Sequence, residues 1–250
     1  MSTNDQNLIE RLFSAGAHFG FSKSRRHPTV KPYLFGNKQG TDIFDLEKTS
    51  ELLAAAKAAV AEAGEQGKTV LFVGTKEEVK KLVEHFAKEV AAPYVINRWI
   101  GGTVTNWSEI KKRIARLHEL IAEGESGELE RKYTKKERVL IGREADKLTF
   151  NFGGIKDIEK TPDMLLVVDP RHESIAVAEA SELGIPVVGI MSSDNDLTKV
   201  TYPVLVNDAL QASVTLALTE LTTAYSEGKA KYVPKPTRTD SRPRRMNTRS

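Results

Sequence analysis

Five short apolar runs with no polar face constrain this chain most: Thr69–Val73, Pro93–Ile96, Met164–Val168, Pro186–Ile190 and Val204–Val206. Each is too short for a buried helix and is bounded by Gly, Pro, Asn or Asp, so each reads as a strand covered on both faces. Helical periodicity separates them. Val79, Leu82, Val83 and Phe86 share one face of a predicted helix over 76–90, and Glu173–Leu183 reads as another. Asn207–Tyr225 is a third, with Leu210, Val214, Ala217, Leu218 and Leu221 facing inward. Strands alternating with helices predict an α/β fold: a three-layer, Rossmann-like (flavodoxin-like) parallel sheet.

Two elements precede the first strand of that sheet. Leu8, Ile9, Leu12 and Phe13 predict an amphipathic helix over 3–15, and Asp45 starts an Ala-rich helix that Gly64 and Gly67 end. Between them, turn signals predict a short hairpin pairing 33–35 with 42–44.

Residues 104–160 interrupt the alternation. Ile110, Ile114, Leu117 and Ile121 fall at i, i+4, i+7 and i+11, a narrow stripe among charged neighbours. After Gly124–Gly127 a second charged helix has Leu129, Tyr133, Leu140 and Leu148 as a looser stripe and ends near Gly153-Gly154. The pair predicts an inserted antiparallel helical (coiled-coil) hairpin that projects, because its stripe is too narrow to bury a whole face. The expected organisation is a body of 1–103 and 161–228, an insertion of 104–160, and a basic tail of 229–250 too poor in apolar residues to order alone.

Charge is unevenly distributed. Residues 21–40 hold Lys23, Arg25, Arg26, Lys31 and Lys38 and no acid, whereas 41–228 hold 23 Lys+Arg against 31 Asp+Glu. Residues 229–250 carry eight basic residues, Arg238, Arg242, Arg244 and Arg245 among them, against Asp240 alone. An acidic body with two basic segments suits a polyanion, since each phosphate contact releases condensed counterions; a solvated loop and a solubilising tail are the alternative. No apolar run is long enough to span a membrane, the N-terminus has no signal-like apolar stretch, and the absence of Cys suits a reducing cytoplasm.

Catalytic patterns are missing. The five histidines show no metal-ligand spacing, and no Ser sits in a nucleophile elbow. Val73-Gly74-Thr75-Lys76 could hold phosphate at a helix start, but both glycine-rich phosphate signatures are absent, and a tight turn is the favoured reading. Asp169 is a functional acid at a strand end or, preferably, part of a helix-capping turn; Asp194, Asn195 and Asp196 form an acidic loop read as a solvated turn rather than a Mg²⁺ site. Arg98 to Asn106 combines a guanidinium and a large aromatic with the tight turn Gly101-Gly102, and Thr103 or Thr105 can cap the next helix. Trp99 is either packed under a hinge or free to stack on RNA. No catalytic residue, metal, cofactor or small-molecule substrate is assigned.

Five blocks carry a resemblance: Ala15-Gly-Ala-His-Phe-Gly20; Lys31-Pro-Tyr-Leu-Phe-Gly36 with Asp45-Leu-Glu-Lys-Thr49; Val70-Leu-Phe-Val-Gly-Thr-Lys76; Pro93-Tyr94 with Arg98-Trp-Ile-Gly-Gly-Thr-Val-Thr-Asn106; and Pro162-Asp163 through Val167-Val-Asp-Pro-Arg171, followed by Ile175-Ala-Val-Ala-Glu-Ala180 and Gly184-Ile-Pro-Val187. In this order, across about residues 8–225, they resemble the bacterial small-subunit ribosomal protein S-two family. Phe21 stands where that family often has His, Ser192–Leu197 replaces its usual Thr-Asn-Cys-Asp-Pro-like run, and the tail is short and basic. The resemblance implies an α/β domain with a protruding helical hairpin at the head–body junction. It further implies contact with small-subunit ribosomal RNA and neighbouring ribosomal proteins, and retention of the large protein S-one, in the cytoplasm on the ribosome.

Joined to the charge pattern, it assigns RNA phosphates to Lys23, Arg25, Arg26, Lys31 and Lys38, to Arg98 and the hairpin base Lys111, Lys112 and Arg113, and to the tail residues Arg238, Arg242, Arg244 and Arg245. Trp99, Gly101, Gly102, Thr103 and Asn106 are the hinge. The rival readings are a nucleotide-binding doubly wound enzyme using Gly74, Lys76 and Asp169, and a free nucleic-acid-binding regulator using the tail.

Overall fold

A computed structural model describes residues 3–233. In chain order the elements are α1 (Thr3–Ser14), β1 (Phe19–Ser22), β2 (Leu34–Lys38), β3 (Thr41–Phe44), α2 (Leu46–Glu65), β4 (Val70–Val73), α3 (Lys80–Glu89), β5 (Tyr94–Val95), α4 (Trp107–Glu125), α5 (Glu128–Lys132), α6 (Lys135–Phe152), β6 (Met164–Val168), α7 (Ser174–Glu182), β7 (Val187–Met191), β8 (Tyr202–Leu205) and α8 (Gln211–Lys231).

Five strands form a parallel sheet in the order β5-β4-β6-β7-β8, the doubly wound flavodoxin-like order, with the switch between β4 and β6. Every residue of β4, β6 and β7 is buried. Alternation sends Val70, Phe72, Leu166, Val168 and Ile190 into one apolar cluster with Leu53, Val83 and Leu218 of the helices; Leu71, Val73, Leu165 and Val167 enter a second cluster on the other face. The result is the three-layer α/β arrangement that the sequence predicts.

Several details differ from sequence expectation, each for a physical reason. Gly64 does not stop α2. A Cβ there would meet the Tyr225 carbonyl oxygen at 2.6 Å, and one at Gly228 would overlap that of Ala61, so both glycines let α2 and α8 touch backbone to backbone. For the same reason α8 continues through Gly228 to Lys231 and takes in the first three residues of the expected tail. Leu210 caps α8 from outside, 43% exposed, instead of facing inward. Helix α3 begins at Lys80, because Val79 and Lys80 both donate to the Lys76 carbonyl in a preceding turn. Phe13 points outward and stacks on His18 with centroids 4.5 Å apart. The expected hairpin is present as β2–β3, but β1 adds a third strand, order β1-β3-β2.

Between β5 and β6, α4 and α6 pack together. Ile110, Ile114, Leu117 and Leu120 of α4 and Leu148 and Phe152 of α6 are buried in the same apolar cluster as Leu71 and Leu165, so this end of the pair lies on the sheet. Ile121 and Leu140, read as inward, are 37% and 55% exposed. The observed α6 stripe is Ile141, Ala145, Leu148 and Phe152. Among the described side chains, none from 121 to 147 is buried, and the turn between the long helices holds the short α5. No helix of the described residues is long and apolar enough to cross a membrane.

Candidate nucleic-acid interface

The first basic segment is fixed at the carboxyl end of the parallel sheet. The Phe21 and His27 amides donate to the Ser193 hydroxyl and carbonyl, both at 2.8 Å, just beyond β7. Its internal anchor is Asp42, fully buried in β3. Arg26 grips it with two parallel hydrogen bonds, one of 2.7 Å from Nε, and Asn37 adds a third at 3.1 Å. Burial pushes the Asp42 carboxyl upward, but the Arg26 and Asn37 hydrogen bonds prevail and hold it below the ordinary range. Arg26, expected on RNA phosphate, is thus engaged inside the protein. Arg25 lies over the Phe21 ring at 4.5 Å and 3.7 Å from Asp194. Lys23, Lys31 and Lys38 are exposed and have no ion-pair partner among the described residues. Lys23 and Lys31 rim a shallow hollow of about 280 Å³ beside Arg26 and Asn37. Of the five cations in this segment, these three lysines are exposed without an ion-pair partner among the described residues.

The Arg98–Asn106 loop is organised by a residue that sequence reasoning did not single out. Glu179 of α7 is buried and accepts hydrogen bonds from Trp99 Nε1 (3.1 Å), the amides of Gly102 (2.8 Å), Val104 (3.2 Å) and Thr105 (3.3 Å), and the Thr105 hydroxyl (3.1 Å). Burial alone would raise this carboxyl, but the converging donors lower it. Trp99 is 7% exposed with its only donor bound, which leaves it packed beneath the loop and not stacking on RNA. Gly102 adopts φ +90, a conformation that requires its missing Cβ. Neither Thr103 nor Thr105 caps α4: Thr103 Oγ1 donates to the Ile100 carbonyl, and Asn106 occupies the cap position without a side-chain bond to the helix backbone. The signal available in the sequence was an acid on the apolar helix Ile175–Ala180. Arg98 is exposed at the loop's start; Lys111 and Arg113 are exposed without ion pairs among the described residues, whereas Lys112 pairs with Glu109 at 2.6 Å.

The crevice at the β4–β6 switch is filled by the chain's own ions. Lys76 pairs with Asp169 and lies 3.6 Å from the buried Asp208. The Thr75 amide and hydroxyl both donate to the buried Glu173, at 2.8 and 2.5 Å. The amide and ammonium that a nucleotide phosphate would need are thus held by carboxylates. Gly74 serves packing, since a Cβ there would sit 2.8 Å from Val83. Burial pushes the Asp208 carboxyl up to about 7 despite Lys76. Asp194 accepts from Arg171 at 2.6 Å, Asn195 from the Arg171 amide at 2.8 Å, and Asp196 from the Thr198 amide and hydroxyl. No group of three acidic or histidine side chains is placed to hold a metal among the described residues. The tail residues Arg238, Arg242, Arg244 and Arg245 lie outside the described residues.

Fold and site together define a doubly wound α/β scaffold whose crevice is closed by internal ion pairs and whose first basic segment presents Lys23, Lys31 and Lys38 without ion-pair partners among the described residues. Residues 12–228 match the family described as Ribosomal protein S2. The chain is 42% identical to the small ribosomal subunit protein uS2 of Wolinella succinogenes over 89% of its own length and 82% of that protein. It is 40% identical to uS2 of a Nitratiruptor species (88% and 82%), and 38% identical to uS2c of Emiliania huxleyi (90% and 97%). The chain belongs to the ribosomal protein S2 family, a family of ribosomal proteins and not of enzymes.

Proposed function

We propose that this protein is a structural constituent of the small ribosomal subunit that holds small-subunit ribosomal RNA at the head–body junction. The observation that carries the reading is the placement of Lys23, Lys31 and Lys38, exposed and unpaired on a small sheet clamped by the buried Arg26–Asp42 pair. A fixed backbone lowers the entropy lost on docking, and phosphate contacts of this kind set position while RNA shape supplies specificity. Arg98, Lys111, Lys112 and Arg113, on the loop and helix leading from the body into the 104–160 arm, extend the contact. The basic tail, with Arg238, Arg242, Arg244 and Arg245, adds further phosphate contacts on the ribosome. Family membership supports neighbouring ribosomal proteins as partners, with retention of protein S-one among the consequences of docking.

The test is co-sedimentation. A Lys23→Gln/Lys31→Gln/Lys38→Gln variant that keeps the wild-type melting temperature is expected to leave small subunits at salt concentrations the wild type withstands. Subunits lacking this protein are expected to be depleted of S-one. Equal retention of the triple variant at every salt concentration would refute the contact assignment.

A further inference from the structure

In the crevice at the carboxyl end of the sheet, two carboxylates contend for one ammonium. Asp208, just beyond β8, is buried, and neither of its carboxyl oxygens has a hydrogen-bond partner among the described residues. The cation that faces it, Lys76, is 3.6 Å away and already in contact with Asp169. Asp169 is held in a left-handed conformation, φ +58, and its other oxygen accepts from the Arg171 and His172 amides at 3.2 and 3.3 Å. Burial opposes ionisation of Asp208, Lys76 favours it, and Asp169 and Asp194 oppose it; the carboxyl is pushed up to about 7 and changes charge near neutrality. Once ionised, a buried carboxylate without donors is costly, and the nearby ammonium is the group that can answer it.

The two loops around this carboxyl carry the small sheet. On one side, the adjacent Asn207 donates from its amide to the Ala17 carbonyl at 3.1 Å, and a Cβ at Gly16 would meet Leu210 at 2.8 Å, just ahead of β1. On the other side, Ser193 receives the Phe21 and His27 amides, and Asp194 binds Arg171 and faces Arg25 at 3.7 Å. Other titratable groups stand close by. His172 and Glu173 share the Thr75 hydroxyl, His18 is stacked between Phe13 and Phe19, and His27 lies 3.9 Å from Asp196. Glu77 and Glu78, in the turn that carries Lys76, are exposed.

We infer that Asp208 is a proton-operated switch beneath the small sheet. Protonated, it leaves Lys76 on Asp169. Ionised, it draws the ammonium towards itself, loosens the turn that Asp169 holds and shifts both seats of β1. The switch acts on the fold itself, and its consequence for RNA docking rests on the reading above. Backbone amide resonances of the full chain, followed between about pH 5 and 8, test it. The Phe21, His27 and Asn207 amides are expected to shift together with one midpoint near 7. That step should vanish in Asp208→Asn and survive in His18→Gln, His27→Gln and His172→Gln. Lys76→Met, which removes the contested cation, should raise the midpoint. Amides that ignore pH across this range, a step that persists in Asp208→Asn, or one lost in a histidine variant overturns the switch and leaves the RNA reading standing. A step that behaves as expected, beside normal subunit retention of Lys23→Gln/Lys31→Gln/Lys38→Gln, sinks the RNA reading alone.

Discussion

Glu179 shows how one buried charge can organise a functional loop. Its carboxylate replaces water with three amides, an indole and a hydroxyl, so its removal leaves five donors without their acceptor. Glu179→Ala is expected to cost about 3 kcal/mol or more by denaturant unfolding, with Glu179→Gln intermediate. Because its folded pKa lies below the ordinary value near 4.5, its contribution is present above that pH and fades as pH falls through the folded value. The denaturant-unfolding midpoint of Glu179→Gln should therefore differ less from wild type at pH 3 than at pH 6. Asp208 has the opposite sign. Its carboxyl is pushed up to about 7, so the folded state favours the protonated form and stability declines as pH rises from about 4 towards 7. Asp208→Asn is expected to melt higher than wild type at pH 8, with the gain shrinking by pH 5; a constant difference across that range would show that burial of this charge is not what matters. Arg26→Gln leaves Asp42 buried without its cation and should cost ~3 kcal/mol, on the scale of a broken buried pair.

At the scale of elements, glycine decides the closest packing. Gly228→Ala would gain up to ~1 kcal/mol of helix propensity in isolation, yet its methyl would overlap the Ala61 carbonyl, so a net loss of about 2 kcal/mol or more is expected from the unfolding midpoint. The same crossing explains one limit of sequence reading. Gly64 and Gly228 look like helix stops because propensity is local, whereas contact between distant helices is not encoded in a window. The strands were legible because a both-face apolar run admits few other structures, and β4, β6 and β7 lie within one residue of the expected runs. β1 was not, because Phe19–Ser22 lacks alternation and becomes a strand only by pairing with β3. The stripes were misplaced by one position late in α4 and early in α6, which put Ile121 and Leu140 inward instead of Leu120 and Ile141. Charge in the site was legible as a count and not as availability. The sequence shows five cations in 21–40, but only the fold reveals that Arg26 is tied to Asp42 and Lys76 to Asp169.

At the scale of the whole molecule, the chain separates structure from contact. Carboxylates outnumber cations between 41 and 228, and several close the sheet's crevice on Lys76, Thr75 and Arg171. On the small sheet Lys23, Lys31 and Lys38 are exposed and have no ion-pair partner among the described residues. In the proposed function, such a distribution lets the body dock on a polyanion through its basic segments. The most direct test is the affinity of the full chain for small-subunit ribosomal RNA across a salt series. The slope of log affinity against log salt should be steep for the wild type and shallower by about two to three for Lys23→Gln/Lys31→Gln/Lys38→Gln. A binding constant indifferent to salt, or a triple variant with the wild-type slope, would contradict the account.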